Sequence, residues 1–268
     1  MPLQAIVLDL DETLLVEYAS VERAFRAVCG LAQQWADGQT LCPGTLYEAV
    51  RRTSRELWQV APAHDYALAI GISSWEGLRA GFVGDHPALA ILREYAPTYR
   101  RQTWALALAE QGIADETLAE RLAASFVREM ARPPRLYPDA VGIIEELRKR
   151  YRLALLTNGL PELQRKKIEA ARFGDVFEAV VISGALGVGK PAAAPFVRVL
   201  DALRLSADEA VMVGNSLRAD IAGAQGVGMP AIWVRRPDAE ITEGVTPDIE
   251  ISALTQLPEA LRTLDRSC

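Results

Sequence analysis

A parallel α/β sheet flanked by helices, interrupted after its first strand by an all-helical insert, is the fold this sequence predicts. Three observations carry it. Short apolar runs recur without polar alternation, which is how a strand buried on both faces reads. From about residue 138 onward these runs alternate with segments of helical periodicity, the pattern of a parallel sheet with right-handed crossovers. The interval 17–135, by contrast, is rich in Ala, Leu, Arg and Glu and holds no convincing strand.

The elements follow in order. Residues 4–9, Gln-Ala-Ile-Val-Leu-Asp, form an apolar run that ends in an acidic residue. Within the insert, residues 46–59, 89–111 and 116–132 read as amphipathic helices. Pro43-Gly44, Pro62 and His86-Pro87 punctuate them. Linkers are expected near residues 15–19 and 132–137, with Pro133-Pro134 as a stiff hinge. Residues 139–151 set Val141, Ile144, Leu147 and Tyr151 at helical spacing behind Pro138-Asp139. Strands are expected at 152–157, 178–183, 209–214 and 230–234, with a weaker one at 248–251. Helices at 162–173, 192–203 and 218–225 connect them. Residues 1–16 and 136–268 thus make an α/β core, and 17–135 a helical domain.

Half of the 268 residues are apolar and 24% are charged, enough for a soluble protein with a substantial core. The net charge of −6 argues against a nucleic-acid partner, because phosphate-backbone binding needs clustered positive charge. A charged substrate must then be held by local groups. Cys29, Cys42 and Cys268 lie far apart without metal-ligand spacing, and so sparse a set suits a reducing compartment. No stretch is apolar enough for a membrane span, and no secretory pattern opens the chain, so a cytoplasmic location is expected. His64 and His86 lack partners at metal-ligand spacing and read as loop or insert residues rather than catalysts. No serine carries the flanking glycines of a nucleophile elbow.

In open α/β sheets reactive groups collect at the carboxyl ends of the strands. There the sequence places Asp9-Leu10-Asp11-Glu12-Thr13, then Thr157-Asn158-Gly159, then Gly189-Lys190-Pro191, then Gly214-Asn215-Ser216-Leu217-Arg218-Ala219-Asp220. Each residue type has a task in phosphoryl transfer. A carboxylate attacks phosphorus and splits one hard step into two. A second carboxyl two residues on protonates the leaving oxygen and then activates water. Magnesium takes oxygen ligands and bridges carboxylates to phosphate. A lysine and backbone N–H groups neutralise the transferring phosphoryl.

These four segments, in this order, resemble the motifs of the haloacid dehalogenase (HAD) superfamily. The resemblance implies a HAD-like Rossmannoid core with a helical cap. It implies Asp9 as nucleophile, Asp11 as general acid/base, and Thr157, Asn158 and Lys190 as holders of the phosphoryl group. Magnesium would rest on Asp9, the backbone carbonyl of Asp11, and Asn215 or Asp220. The substrate would be a small phosphorylated metabolite, whose identity the cap would set; the insert's length and helicity resemble the sugar-phosphate and acylneuraminate-phosphate branch. Oligomeric state is left open.

Lys190 has separate support. The chain has four lysines against twenty-five arginines. Lys149, Lys166 and Lys167 read as solvated helix surface. Lys190 alone lies in a Gly-x-Gly-Lys-Pro loop, where a compact point charge is wanted. The stretch 184–190 also fits the start of a phosphate-binding loop for nucleoside triphosphates, but Pro191 stands where a hydroxyl is required. Trp35, Trp58, Trp75 and Trp104 all fall in the insert and are expected to pack its helices.

One departure from the pattern is Asn215, where the fourth motif usually begins with aspartate. Asparagine offers magnesium a carbonyl oxygen without a charge. Two alternatives therefore stay beside the phosphatase. A dehalogenase of the same fold has no need of Asp11, and a non-catalytic phosphate-binding or regulatory protein is motivated by Asn215.

Overall fold

The computed structural model describes residues 2–36, 39–237 and 239–267; Cys268 lies outside the described residues. The chain divides into two compact units, Met1–Glu17 with Pro134–Cys268, and Tyr18–Pro133.

The first unit is built on a six-stranded sheet. Its strands are β1 (Ala5–Leu8), β4 (Arg152–Thr157), β5 (Ala179–Ile182), β6 (Ala210–Gly214), β7 (Ala231–Val234) and β8 (Ile249–Ile251). Their order is β5-β4-β1-β6-β7-β8, and every pairing is parallel. The chain thus winds outward in opposite directions from β1, which puts the topological switch point, and the crevice that goes with it, at the carboxyl end of that strand. Between β1 and β4 lie β2 (Leu15–Val16) and β3 (Arg135–Leu136), a two-residue antiparallel ribbon that joins the two expected linkers.

Alternation along the strands splits the core in two. Ile6, Leu8, Leu155, Val211 and Val213 face one side. There they meet α7 (Ala140–Leu147), α8 (Pro161–Ala170) and α11 (Leu257–Ser267). Ala5, Val7, Ala154, Leu156 and Met212 face the other. There α9 (Ala193–Leu203), a π-helical turn at Leu217–Ile221 and α10 (Ala222–Gln225) cover them. All four residues of β1 are fully buried, as a central parallel strand requires.

The second unit is helical: α1 (Glu17–Trp35, whose first residue belongs to the sheet unit), α2 (Pro43–Gln59), α3 (His64–Ala69), α4 (Ser74–Gly77), α5 (Pro87–Ala109) and α6 (Glu116–Met130). α5 packs against both α2 and α6. Phe25, Trp104 and Phe126 form one aromatic knot, with Phe25 and Phe126 ring centres 4.4 Å apart. Trp58, Phe82 and Tyr99 form another. Trp58 and Trp104 are buried, whereas Trp35 and Trp75 lie half-buried under Arg121 and Arg79. His86 caps α5, its Nδ1 accepting from Ala88 N at 3.2 Å. His64 stands edge-on to Trp58.

Some expectations need correction. The 139–151 helix ends at Leu147, and its buried face is Ala140, Ile143, Ile144 and Leu147; Val141 is exposed. The linker expected at 15–19 is instead strand followed at once by α1, which begins at Glu17. Lys167 is buried rather than on the surface.

Candidate active site

β1 ends at Leu8, but the ladder continues one step: Asp9 N donates to Val213 O at 2.9 Å. That bond draws Asp9 into the protein, where it is only 6% exposed. The chain then turns sharply. Leu14 N and Leu15 N both donate to Leu10 O, at 2.9 and 3.0 Å, and Glu12 takes a left-handed φ of 57°. A non-glycine residue in that region is strained and must be held. Arg236 holds it, donating to Glu12 O at 3.2 Å and Thr13 O at 2.7 Å while its guanidinium lies 3.4 Å above the Tyr137 ring. Tyr137 in turn donates to Glu12 Oε2 at 2.9 Å.

This turn sets Thr13 against the Asp9 carboxyl. Thr13 Oγ1 is 3.0 Å from Asp9 Oδ2 and 3.4 Å from Asn215 Oδ1. The other carboxyl oxygen, Asp9 Oδ1, accepts from Lys190 Nζ at 2.7 Å. Lys190 Nζ also donates to Asp220 Oδ1 at 2.6 Å and to Leu156 O at 2.7 Å, which uses all three protons of the ammonium. The lysine backbone is fixed by Asn158, whose side chain accepts from Lys190 N at 2.8 Å and donates to Lys190 O at 3.0 Å. The Asn158 side chain is thereby committed to the lysine loop.

Asp220 is equally committed. Its second oxygen accepts from Ser216 N at 2.9 Å. Gly214 makes room for it: a Cβ on Gly214 would stand 2.3 Å from Asp220 Oδ2. Two carboxylates thus share one ammonium in a buried place. Burial pushes the Asp9 carboxyl up to about 7, with Asp220 and Asp11 adding to the rise and Lys190 opposing it. For Lys190 burial disfavours the charged form, but the two carboxylates outweigh it and hold the ammonium charged.

The donor set suits a hard cation. Asp9 Oδ2 and Asn215 Oδ1 converge on the single hydroxyl of Thr13, and both are oxygen donors of the kind magnesium takes. Asn215 is steadied from behind by Trp233 Nε1, which donates to its carbonyl at 2.8 Å. With Asp220 occupied by Lys190 and Ser216, Asn215 is the better placed of the two fourth-motif groups. Among the described residues no group of three or more histidine, cysteine or carboxylate side chains is arranged to hold a metal. A cation here would rest on Asp9 as its carboxylate ligand, with neutral oxygens around it.

Asp11 sits in a second cluster. Lys167 Nζ lies 2.9 Å from both of its carboxyl oxygens and 3.1 Å from Glu17 Oε1. Gln164 Nε2 donates to Asp11 Oδ2 at 2.8 Å and to Thr157 Oγ1 at 2.7 Å. The structure gathers Asp9, Lys190, Asn158, Asn215 and Asp220 of the expected residues in one cluster and Asp11 and Thr157 in another, and beside them stand Thr13, Gln164, Lys167 and Arg236, which sequence reasoning does not single out. A signal for two of these exists. Leu163, Gln164, Lys167 and Ile168 make one helical stripe, so Lys167 shares a face with apolar neighbours while the adjacent Lys166 points outward.

Residues 3–228 match the haloacid dehalogenase-like hydrolase family. A phosphoserine phosphatase of Thermus thermophilus is 36% identical over 262 residues, covering 97% of this chain and 100% of that one. The N-acylneuraminate-9-phosphatase of Mus musculus is 36% identical over 132 residues, 48% of this chain and 53% of its own length. Among solved structures, YfnB of Bacillus subtilis, described as a HAD-hydrolase bound to magnesium, matches with a TM-score of 0.66 at 20% identity. That match covers 97% of this chain and 99% of YfnB and is a likeness of fold.

Proposed function

The chain belongs to the haloacid dehalogenase-like hydrolases, and we propose that it hydrolyses a small phosphorylated metabolite with magnesium, through an aspartyl-phosphate on Asp9. It is a hydrolase of phosphate monoesters, in keeping with its relatives. The observation that carries the finer reading is the Asp9 carboxyl. It is buried at the end of β1, with one oxygen on Lys190 and the other on Thr13.

In this reading an Asp9 oxygen attacks phosphorus while the bond from phosphorus to the leaving oxygen breaks. Asp11 gives its proton to that oxygen and is left as carboxylate. Asp11 then takes a proton from water as the water attacks the aspartyl-phosphate, and Asp9 is released as carboxylate with inorganic phosphate. Lys190 offsets the charge carried by Asp9 and the phosphoryl group, and the Thr157 hydroxyl and the Asn158 backbone amide would donate to phosphoryl oxygens. Magnesium would be held by Asp9, the Asp11 carbonyl and Asn215, and when bound it supplies positive charge to the phosphoryl oxygens.

For substrate class, a relative whose likeness extends through nearly the whole chain is a phosphoserine phosphatase. An amino-acid phosphate is therefore the first class to test, ahead of the sugar-acid phosphates suggested by relatives that match about half the chain. No described helix is long and apolar enough to cross a membrane; a cytoplasmic location rests on the sparse cysteines. The experiment is phosphate release from O-phosphoserine, N-acylneuraminate 9-phosphate and p-nitrophenyl phosphate, with and without magnesium. Magnesium-dependent release with preference for phosphoserine supports the reading. Release undiminished by chelation contradicts the magnesium requirement, and a preference for another phosphate moves the substrate class.

A further inference from the structure

We infer that Lys167, braced by Glu17 and assisted by Gln164, is the positioning residue for Asp11. It holds the carboxyl in the orientation from which it exchanges protons with the leaving oxygen and with water. The inference rests on the acid/base reading of Asp11 given above.

Four observations lead to it. The ammonium of Lys167 lies 2.9 Å from each Asp11 oxygen, so it sits symmetrically on the carboxylate and fixes the plane of the group. Lys167 is itself anchored, 3.1 Å from Glu17 Oε1, and both residues are 4% exposed. Burying ions in this way contributes little net stability, because desolvation offsets the attraction. Asp11 is not buried with them: its side chain keeps 27% exposure and stays accessible.

Gln164 supplies the fourth observation. Its amide nitrogen bridges Asp11 Oδ2 and Thr157 Oγ1, tying the acid/base to the hydroxyl expected to meet the phosphoryl group. The cost falls on its other end, where Gln164 Oε1 is buried with no hydrogen-bond partner. Turning the amide over would set that oxygen against the Asp11 carboxylate. A buried orphan acceptor calls for an explanation, and retention of the donor on Asp11 is one. Lys167 and Gln164 lie one turn apart on α8, so a single helix presents both groups. In this structure Lys167 meets Asp11 and Glu17 and is placed to act through Asp11.

The test compares wild type with Lys167→Met, Asp11→Asn and the double variant, using p-nitrophenyl phosphate and an alkyl phosphate. For Lys167→Met the expected result is a kcat/KM about 10- to 100-fold lower on the alkyl phosphate, since misplacing an acid/base group forfeits much of its contribution. On p-nitrophenyl phosphate, whose leaving group needs little protonation, the loss of kcat/KM should be a few-fold at most, whereas kcat, which includes the attack of water, falls on both. The double variant should be no slower than Asp11→Asn alone, because groups that act as a unit are not additive. Gln164→Met should show the same pattern, weaker, and it removes no charge, which keeps the test open if Lys167→Met does not fold. Equal losses of kcat/KM on the two substrates, additive losses in the double variant, or no loss at all would overturn the assignment. Absence of leaving-group selectivity in Asp11→Asn would overturn it together with the acid/base reading. Selectivity there but not in Lys167→Met or Gln164→Met would overturn the positioning role alone.

Discussion

Lys190 Nζ lies 2.7 Å from Asp9 Oδ1 and 2.6 Å from Asp220 Oδ1, so one ammonium joins the end of β1 to the turn that follows β6. Two buried carboxylates around one cation leave an excess negative charge, and burial together with Asp220 holds the Asp9 carboxyl well above the usual carboxylate range. A group so placed has a reason to pick up a proton, a cation or an electrophile.

The joint has a point of weakness at Gly214, where a methyl group would stand 2.3 Å from Asp220 Oδ2. Gly214→Ala should displace Asp220, loosen Lys190, and lower kcat by about 10²-fold, the scale of a misplaced catalytic group. It should also cost about 1–3 kcal/mol of stability through overpacking. Gly142 is the control, because a Cβ there meets nothing within 4 Å. Gly142→Ala should leave turnover unchanged and add about 0.5–1 kcal/mol by favouring the helix. Steady-state kinetics and urea melts on the two variants would check both.

Without metal, the Asp9 carboxyl is raised from 3.8 to about 7, chiefly by burial. The folded chain then binds a proton at Asp9 more tightly than the unfolded chain does. Stability from this group is complete below pH 3.8 and is lost as pH rises through about 7. A cation must displace that proton to bind. The rise in melting temperature produced by magnesium should therefore be small near pH 5 and grow towards pH 8. A magnesium-induced rise of the same size at both pH values would count against Asp9 as the ligand.

Asn215 contributes a dipole where a carboxylate would contribute a charge, and magnesium parts with its water reluctantly. Asn215→Asp should bind magnesium more tightly in calorimetric titration at fixed ionic strength. Asp220→Asn, whose oxygens serve Lys190 and Ser216, should lower kcat more than magnesium affinity. If Asn215→Asp binds no more tightly and Asp220→Asn loses the metal, the two residues have been assigned in reverse.

The sheet was legible because its six strands are buried on both faces and so read as unbroken apolar runs; β4 was predicted to its exact ends at 152 and 157. The strand-end residues were legible because chain order and carboxyl ends are set by that sheet. What escaped has identifiable causes. The β2–β3 ribbon is two residues a side, too short to show any periodicity. Val141 has the spacing of a core residue, but Ile143 and Ala140 take the buried stripe. Lys167 reads as surface because it adjoins Lys166 in a charged run, although its stripe with Leu163 and Ile168 points inward. Arg236 could not be found from sequence at all: it meets Glu12 and Thr13 across more than 200 residues of chain.

The central claim is that Asp9 attacks phosphorus. It is tested most directly in Asp11→Asn, where the first step on p-nitrophenyl phosphate should proceed while the loss of the base slows release of the aspartyl-phosphate. Acid quenching during turnover, followed by peptide mass mapping, would find the intermediate. The account predicts one phosphoryl group on the peptide that contains Asp9, absent when substrate is omitted and absent in the Asp9→Asn/Asp11→Asn double variant. A phosphoryl group on another residue, or p-nitrophenol release by the Asp9→Asn variant at the wild-type rate, would contradict it.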